Sequence, residues 1–336
     1  MMTLLPVAIF VFAASWAATW AMMHWLVRRT ILDHPVERSS HKAPVPKGGG
    51  VAVIAVLLAG WVWLAANGMA PPETLLVSAL AFALAALSWL NDVTDLPAAV
   101  RLAVHLLIAS VGLLALPDRG HVFQGLLPFP LDEAATVVTW VWFLNLFNFM
   151  DGIDGITAIE AGTIGGGLAA IGALSDALPI GQFAMAVVVA AAALGFLPWN
   201  WHPSRVFLGD VGSVPLGFVV GWLLLRLAGG GAWVPALLLP LYYLADATIT
   251  LVRRIAGGER IWRAHRTHFY QRALGADGNH GAVATMILTG NLALVAASVV
   301  AIWQPMPALV LGVVVTALLL LLLDRRGRAP GLAREG

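Results

Sequence analysis

The chain has 336 residues, of which 60% are hydrophobic and 11% are charged, with a mean hydropathy of +0.86. This composition is far more apolar than that of a soluble protein, so a pair of water-soluble domains is excluded. The sequence contains no cysteine, which excludes disulfides, thiolate catalysis and cysteine-ligated metals. The net charge of +1 carries little information, and we expect no nucleic-acid partner.

A helix that crosses a bilayer needs about 20 mostly apolar residues. Eleven runs meet or nearly meet this length: 3–27, 49–66, 74–90, 98–116, 133–149, 156–175, 180–197, 211–228, 232–252, 282–302 and 306–323. Little chain remains between them, so we predict an all-α polytopic integral membrane helix bundle. Residues 1–324 are expected to form a single transmembrane catalytic domain, and 325–336 a basic, disordered cytoplasmic tail near anionic lipid.

The distribution of Lys and Arg predicts the orientation of this bundle. If the first run crosses from outside to inside, 17 of the 19 basic residues fall on the inside and only Arg119 and Arg226 fall outside. This asymmetry predicts an external N-terminus and a cytoplasmic C-terminus. The first run has no basic residue before it, which favours a retained helix over a cleaved signal peptide. Nearly all other polar groups lie in the inside loops, so we expect one cytoplasmic site.

The first inside loop, HPVERSSHKAPVPKGGG at residues 34–50, is rich in proline and glycine. Its Lys42 and Lys47 are candidates to meet the phosphate of a lipid head group. The general excess of Lys and Arg in inside loops explains both lysines equally well, so both explanations stay open.

The second inside loop, WLNDVTDL, places Asn91, Asp92 and Asp95 directly after the third run. Acids beside a proline also suit the cap and first turn of the next helix, and this alternative stays open. Arg101 follows within that helix as a candidate phosphate contact, and snorkelling to the interface is its alternative.

The third inside loop has the sequence NLFNFMDGIDGI. Asn145 and Asn148 are one helical turn apart and can share a face, and Asp151 and Asp154 each precede a glycine that allows close backbone approach. Two acids and two amides suit a hard cation such as Mg²⁺ that is shared with a phosphate. A polar turn with helix-capping acids is the alternative.

The last two inside loops add an acid and a basic cluster. In VFLGDVGS, Asp210 stands between glycines at a predicted helix start, where it can cap the helix or hold a metal. In RAHRTHFYQR, three arginines and His265 and His268 suit a diphosphate, although a positive-inside loop explains them too. Inside the membrane, Asp246 is a functional candidate or a structural hydrogen-bonding group, and His105 is expected to be a packed histidine.

These five loops in this order resemble the polyprenyl-phosphate N-acetylhexosamine-1-phosphate transferases, a family that includes the peptidoglycan phospho-MurNAc-pentapeptide translocase. The match covers nearly the whole chain, and the combination of NxxNxxDGxDG with FLGDVGS is its most specific part. The form HRTHFYQR looks most like the O-antigen-initiating branch. In the paired-aspartate motif of the family, Asn91 stands here in place of the first acid.

The resemblance implies a reaction and its partners. HexNAc-1-phosphate passes from a UDP-N-acetylhexosamine to undecaprenyl phosphate, giving polyprenyl-diphosphate-HexNAc and UMP, at the start of O-antigen or related cell-envelope glycan synthesis. Mg²⁺ is the expected cofactor, with Mn²⁺ as an alternative, and membrane lipids surround the protein. The expected location is the bacterial inner membrane with a cytoplasmic active site, and homodimerisation is left open.

The resemblance also assigns roles to residues of this sequence. The implied catalytic residues are Asp92, Asp151, Asp154 and Arg101; the substrate-binding ones are Lys47, Asn145, Asp95, His265, Arg266 and His268; the Mg²⁺ ligands are Asn148 and Asp210.

Two other functions compete with this one. A CDP-alcohol phosphotransferase also uses Asp-Gly repeats in a membrane, but its pattern requires arginine where Ile159 stands, so it is rejected. A membrane transporter of a lipid-linked sugar or nucleotide sugar would favour polar groups near the middle of the membrane, and only Asp246 and His105 approach that position.

Overall fold

The computed structural model describes residues 4–35, 43–94, 96–117, 121–259, 265–275 and 278–328. Within these residues the chain is mostly helical. The helices are α1 (Leu4–Arg28), α2 (Gly50–Ala66), α3 (Glu73–Thr94), α4 (Ala98–Gly112), α5 (Phe129–Phe149), α6 (Ile156–Leu174), α7 (Ile180–Asn200), α8 (Asp210–Gly229), α9 (Trp233–Leu238), α10 (Leu241–Ala256), α11 (Phe269–Arg272), α12 (His280–Val300) and α13 (Pro305–Arg328). A 3-10 turn, Leu113–Ala115, extends α4, and two short strands, β1 (Leu32–Asp33) and β2 (Val45–Pro46), pair antiparallel.

Eight helical segments of the described residues are long and apolar enough to cross a bilayer. They lie in α1, α3, α4 with its 3-10 turn, α6, α7, α8, α12 and α13. The prediction of an all-α polytopic membrane protein is therefore confirmed. The number of eleven spans and the orientation remain predictions, because α2 is a shorter apolar helix of 17 residues and the run 232–252 is interrupted.

The interruption in the run 232–252 lies at a proline. Helix α9 ends at Leu238 and α10 begins at Leu241, so Leu239 and Pro240 separate two helices where the sequence predicted one span. Proline has no backbone N–H to donate to the carbonyl four residues earlier, which breaks the helical hydrogen-bond ladder. The break lets α10 carry Asp246 towards the polar loops as a separate element.

Helix α8 forms the centre of the bundle. Its apolar window is 94% buried, whereas that of α1 is 22% buried, and α8 packs against α2, α3 and α5. Small residues allow this approach: a Cβ on Gly217 would lie 2.8 Å from the Phe147 Cβ. Because α8 is held on several sides, its first residue, Asp210, is fixed at the end of the bundle where the polar loops meet.

Candidate active site

The site begins with a backbone junction between two loops. The Phe207 N–H donates to the Pro46 carbonyl at 2.8 Å, and the N–H groups of Gly48 and Gly49 donate to the Phe207 carbonyl at 3.1 and 2.9 Å. The Gly50 N–H then donates to the Leu208 carbonyl at 2.9 Å. This junction fixes the loop that carries Lys47 beside the start of α8.

The junction requires glycine at residue 50. A Cβ added there would lie 2.3 Å from the Gly212 Cα and 2.5 Å from the Gly212 nitrogen. Both neighbours are backbone atoms, so the loop or α8 would have to move. The close approach of α2 and α8 therefore depends on the absence of a side chain.

We expect Gly50→Ala to destabilise the protein by about 1–3 kcal/mol through overpacking and to reduce activity by displacing the Lys47 loop. The matched control is Gly166→Ala in α6, because a Cβ there meets nothing within 4 Å. Melting temperatures of the two purified variants provide the measurement. Equal melting temperatures for both variants would contradict the role given to this junction.

Four charged residues from four segments meet beside the junction. Lys47 Nζ lies 3.2 Å from Asp92 Oδ1, and Arg101 Nη1 lies 3.9 Å from Asp210 Oδ2. Burial lowers the pKa of Lys47, but the carboxylates of Asp210 and Asp92 outweigh it, so the pKa ends above its ordinary value. Lys47 therefore stays protonated at neutral pH and joins the two acids in one electrostatic unit.

Asn91 makes its hydrogen bond within the loop after α3. Its Oδ1 accepts the backbone N–H of Leu96 at 3.1 Å, so the side chain closes the loop after α3. The acid that the family places at this position is thus replaced by a loop-closing amide. Asp95, predicted to bind substrate, lies outside the described residues.

Asn148 of α5 contacts the first turn of α8, the helix that begins at Asp210. The Ser213 hydroxyl in α8 donates to Asn148 Oδ1 at 2.6 Å, which turns the oxygen of this amide towards the start of α8. A carboxylate and an amide oxygen are the hard ligands that Mg²⁺ prefers. The predicted ligands Asn148 and Asp210 thus have the chemistry that a Mg²⁺ site needs.

Asp151 lies in the turn between α5 and α6, near Asp210. The Thr157 hydroxyl donates to its Oδ1 at 2.7 Å. Burial raises the pKa of Asp151 to about 6; the Thr157 hydrogen bond opposes the shift, and the Asp210 carboxylate adds to it. Asp151 and Asp210 are therefore close enough to influence each other's charge.

Asp154 makes a different set of contacts. Its Oδ2 lies 2.6 Å from His202 Nδ1 and accepts the Ser204 N–H at 3.2 Å, and its Oδ1 lies 3.3 Å from His280 Nδ1. Burial raises the pKa of Asp154, but these hydrogen bonds outweigh it and leave the pKa below its ordinary value. The catalytic role predicted for Asp154 stays a prediction, and its contacts are with histidines rather than with Lys47.

The same three side chains carry atoms that can ligate metals. Among the described residues, Asp154, His202 and His280 bring such atoms within 4.8 Å of one another. The 2.6 Å separation between His202 Nδ1 and Asp154 Oδ2 is that of a direct hydrogen bond. We therefore interpret this group as a hydrogen-bonded network that shapes the turn.

The basic segment, residues 265–272, combines exposed and buried side chains. His265 is half-buried and Arg266 is exposed, whereas His268 is buried beneath them. The rings of His265 and His268 stack at 4.9 Å. Arg272 pairs with Asp324 of α13 and so is engaged within the protein. The substrate-binding roles of His265 and Arg266 stay predictions.

Asn145 makes a hydrogen bond within its own helix. Its amide nitrogen donates to the Val141 carbonyl at 2.7 Å. The substrate-binding role predicted for Asn145 stays a prediction. His105 of α4 is buried, in the packed environment that the sequence predicted.

Reasoning from sequence overlooked three residues near the site: His202, His280 and Tyr270. The first two bind Asp154, and the hydroxyl of Tyr270 donates to the Phe149 carbonyl at 3.1 Å. No spacing rule links residues 48 and 126 positions from Asp154. Only the packing of α6, α7 and α12 brings these histidines to the turn.

Comparison with known proteins places this geometry in context. Residues 74–228 match the model of glycosyl transferase family 4. The probable undecaprenyl-phosphate N-acetylglucosaminyl 1-phosphate transferase of Bacillus subtilis is 29% identical, with 74% of this chain and 71% of the relative covered. The decaprenyl-phosphate N-acetylglucosaminephosphotransferase of Mycolicibacterium smegmatis is 28% identical over 96% and 88%. The undecaprenyl-phosphate alpha-N-acetylglucosaminyl 1-phosphate transferase of Yersinia pestis is 29% identical over 80% and 76%.

Proposed function

We propose that this chain, which belongs to glycosyl transferase family 4, is a membrane enzyme that transfers a sugar-1-phosphate from a nucleotide sugar to a polyprenyl phosphate. The donor is a UDP-N-acetylhexosamine, the acceptor is undecaprenyl phosphate, and UMP leaves. The reaction starts the synthesis of O-antigen or a related cell-envelope glycan. The observation that carries the proposal is the meeting of Lys47, Asp92, Arg101 and Asp210 at one end of a membrane bundle.

The reaction joins two anions, so positioning and charge neutralisation dominate its barrier. An oxygen of the lipid phosphate attacks the sugar-bearing phosphorus, a new P–O bond forms, and the P–O bond to UMP breaks. Lys47 and Arg101 offset the negative charge of the phosphates. Asp92 orients the attacking phosphate or accepts its last proton. Because the lipid phosphate is already a nucleophile at neutral pH, the enzyme needs no covalent intermediate.

The acids around α8 suit a divalent cation in this scheme. Asn148 and Asp210 would hold Mg²⁺, with Mn²⁺ as the alternative, and the bound cation would neutralise charge on the diphosphate. Asp151 contributes acceptor oxygen beside them. His265 and Arg266 would bind the diphosphate of the UDP-sugar from the water side.

The transporter alternative loses its main support in the structure. It relied on polar groups inside the membrane, chiefly Asp246 and His105. Asp246 accepts backbone N–H groups of residues 269 and 270, and His105 is buried within the bundle. Asp246 is thus engaged in holding the protein together.

The location follows from the same chemistry. Multiple apolar helices make the chain a multi-pass membrane protein. We place it in the bacterial inner membrane with the site on the cytoplasmic face, where UDP-sugars are made and where the positive-inside rule puts most of the arginines. Labelling of single cysteines introduced near Asp92 and Asp210 in sealed vesicles tests this sidedness.

Purified protein in nanodiscs with undecaprenyl phosphate and a panel of UDP-sugars tests the activity. We expect release of UMP and a lipid product whose mass has increased by one HexNAc phosphate, with UDP-GlcNAc the first donor to test. Chelation by EDTA should abolish turnover, and added Mg²⁺ should restore it. Folded protein that releases no UMP from any UDP-N-acetylhexosamine would contradict the proposal.

A further inference from the structure

Asp246 in α10 is a fully buried carboxylate. Its Oδ1 accepts the Phe269 N–H at 3.0 Å and lies 3.2 Å from His268 Nδ1. Its Oδ2 accepts the Tyr270 N–H at 3.1 Å and the Tyr242 hydroxyl at 3.2 Å. A buried carboxylate is costly unless it is hydrogen-bonded, and here several donors converge on both oxygens.

These contacts join a membrane helix to the basic segment, residues 265–272. Two backbone N–H groups and one imidazole of this segment bind the same carboxylate. The position of the basic segment is therefore set by α10. An asparagine at residue 246 would place an N–H₂ group opposite the donors that one of the two carboxylate oxygens now accepts. The contacts therefore require an acid rather than any polar group of that size.

Tyr270 carries the linkage onward to the turn between α5 and α6. Its hydroxyl donates to the Phe149 carbonyl at 3.1 Å. A Cβ on Gly152 would lie 2.1 Å from the same hydroxyl oxygen, so the ring sits directly against the turn. Phe149 is two residues before Asp151, so the basic segment is fixed against the acid-bearing turn.

We propose that Asp246 is a positioning residue, which holds the basic segment in register with the 149–155 turn so that His265 and Arg266 meet the diphosphate of the donor. The inference rests on the proposed function. Asp246 itself touches no reacting atom and acts through the segment that it binds. Its loss should weaken binding of the UDP-sugar more than it slows the chemical step.

Asp132 provides a matched control at the opposite end of the bundle. It too is fully buried, accepts the N–H groups of Val122 and Phe123 at 3.2 and 3.0 Å, and lies 3.4 Å from the Thr136 hydroxyl. Asp132 thus makes the same kind of contact, a carboxylate that holds a loop, but at a loop far from the site. Loss of either carboxylate should cost similar stability.

The test compares Asp246→Asn with Asp132→Asn in full-length protein in nanodiscs. We expect Asp246→Asn to raise KM for UDP-GlcNAc by about 10-fold or more, since hydrogen bonds to a charged group are lost. KM for undecaprenyl phosphate should change less than about 2-fold, and Asp132→Asn should leave both KM values close to wild type. Equal effects of both variants on KM, or an effect of Asp246→Asn on melting temperature alone, would overturn the proposal.

Hydrogen exchange gives a second readout that does not need activity. The amides of Phe269 and Tyr270 should exchange about 10-fold faster or more in Asp246→Asn and be unchanged in Asp132→Asn. If Asp246→Asn does not fold, Tyr270→Phe removes a single hydroxyl and should raise the same KM by about 3-fold. Unchanged exchange in folded Asp246→Asn, or unchanged KM in Tyr270→Phe, would overturn the proposal. Absence of UMP release from the wild-type protein would instead contradict the proposed function. Hydrogen exchange would still test whether Asp246 holds the basic segment.

Discussion

Asp210→Asn is expected to lower kcat for UMP release by about 10³-fold, the largest loss of any single change considered. Asp210 is the first residue of α8, lies 3.9 Å from Arg101 through its Oδ2, and adds to the charge around Lys47. Asparagine keeps the shape of the side chain but removes its charge. Arg101 loses its ion-pair partner. Asp210 is the charged one of the two proposed metal ligands, so a divalent cation would keep only the neutral ligand Asn148.

Titration with Mg²⁺ separates a metal ligand from a general electrostatic contributor. If Asp210 holds the cation, the Mg²⁺ concentration for half-maximal UMP release should rise by about 10-fold or more in Asp210→Asn. The matched control is Asp176→Asn, because Asp176 is an exposed acid in the turn between α6 and α7. More than a tenth of wild-type turnover in Asp210→Asn, with an unchanged Mg²⁺ dependence, would remove Asp210 from the site.

The architecture could be predicted because the bilayer imposes a simple rule on the sequence. Spanning helices must be long and apolar, so the runs are visible without any knowledge of packing. The same rule leaves polar residues only where they are needed, which is why Lys47, Asp92, Asp151 and Asp210 stood out. The apolar composition of the 232–252 run predicts one span, whereas Pro240 divides the run into two helices.

The contacts within the site could not be predicted from the sequence. Asn145 and Asn148 occupy related positions on α5, yet the Asn145 amide donates to Val141 of its own helix and the Asn148 oxygen accepts from Ser213 of α8. Asp151 and Asp154 belong to one short motif, yet Thr157 binds one and His202 binds the other. Spacing places residues on an element, and only tertiary packing decides which partner each side chain meets.

Asp92→Asn is expected to lower kcat by about 10²-fold while KM for the UDP-sugar changes little, because positioning or deprotonation of the attacking phosphate affects the chemical step. The fold should survive this substitution. The Lys47 and Asp92 side chains are 36% and 24% exposed, and exposed ion pairs contribute only about 0–1 kcal/mol to stability. A large loss of turnover with an unchanged melting temperature would therefore report on function.

A double-mutant cycle with Lys47→Met shows whether the two residues act together. Lys47 lies 3.2 Å from Asp92, so if they form one unit around the lipid phosphate, the double variant should be little slower than the worse single variant. The matched control is Asn91→Asp, which alters the charge at the same helix end while keeping the acceptor for the Leu96 N–H; its turnover should stay within about 3-fold of wild type. Near-wild-type activity of Asp92→Asn would remove Asp92 from the mechanism, whereas fully additive losses would show that the ion pair serves two separate steps.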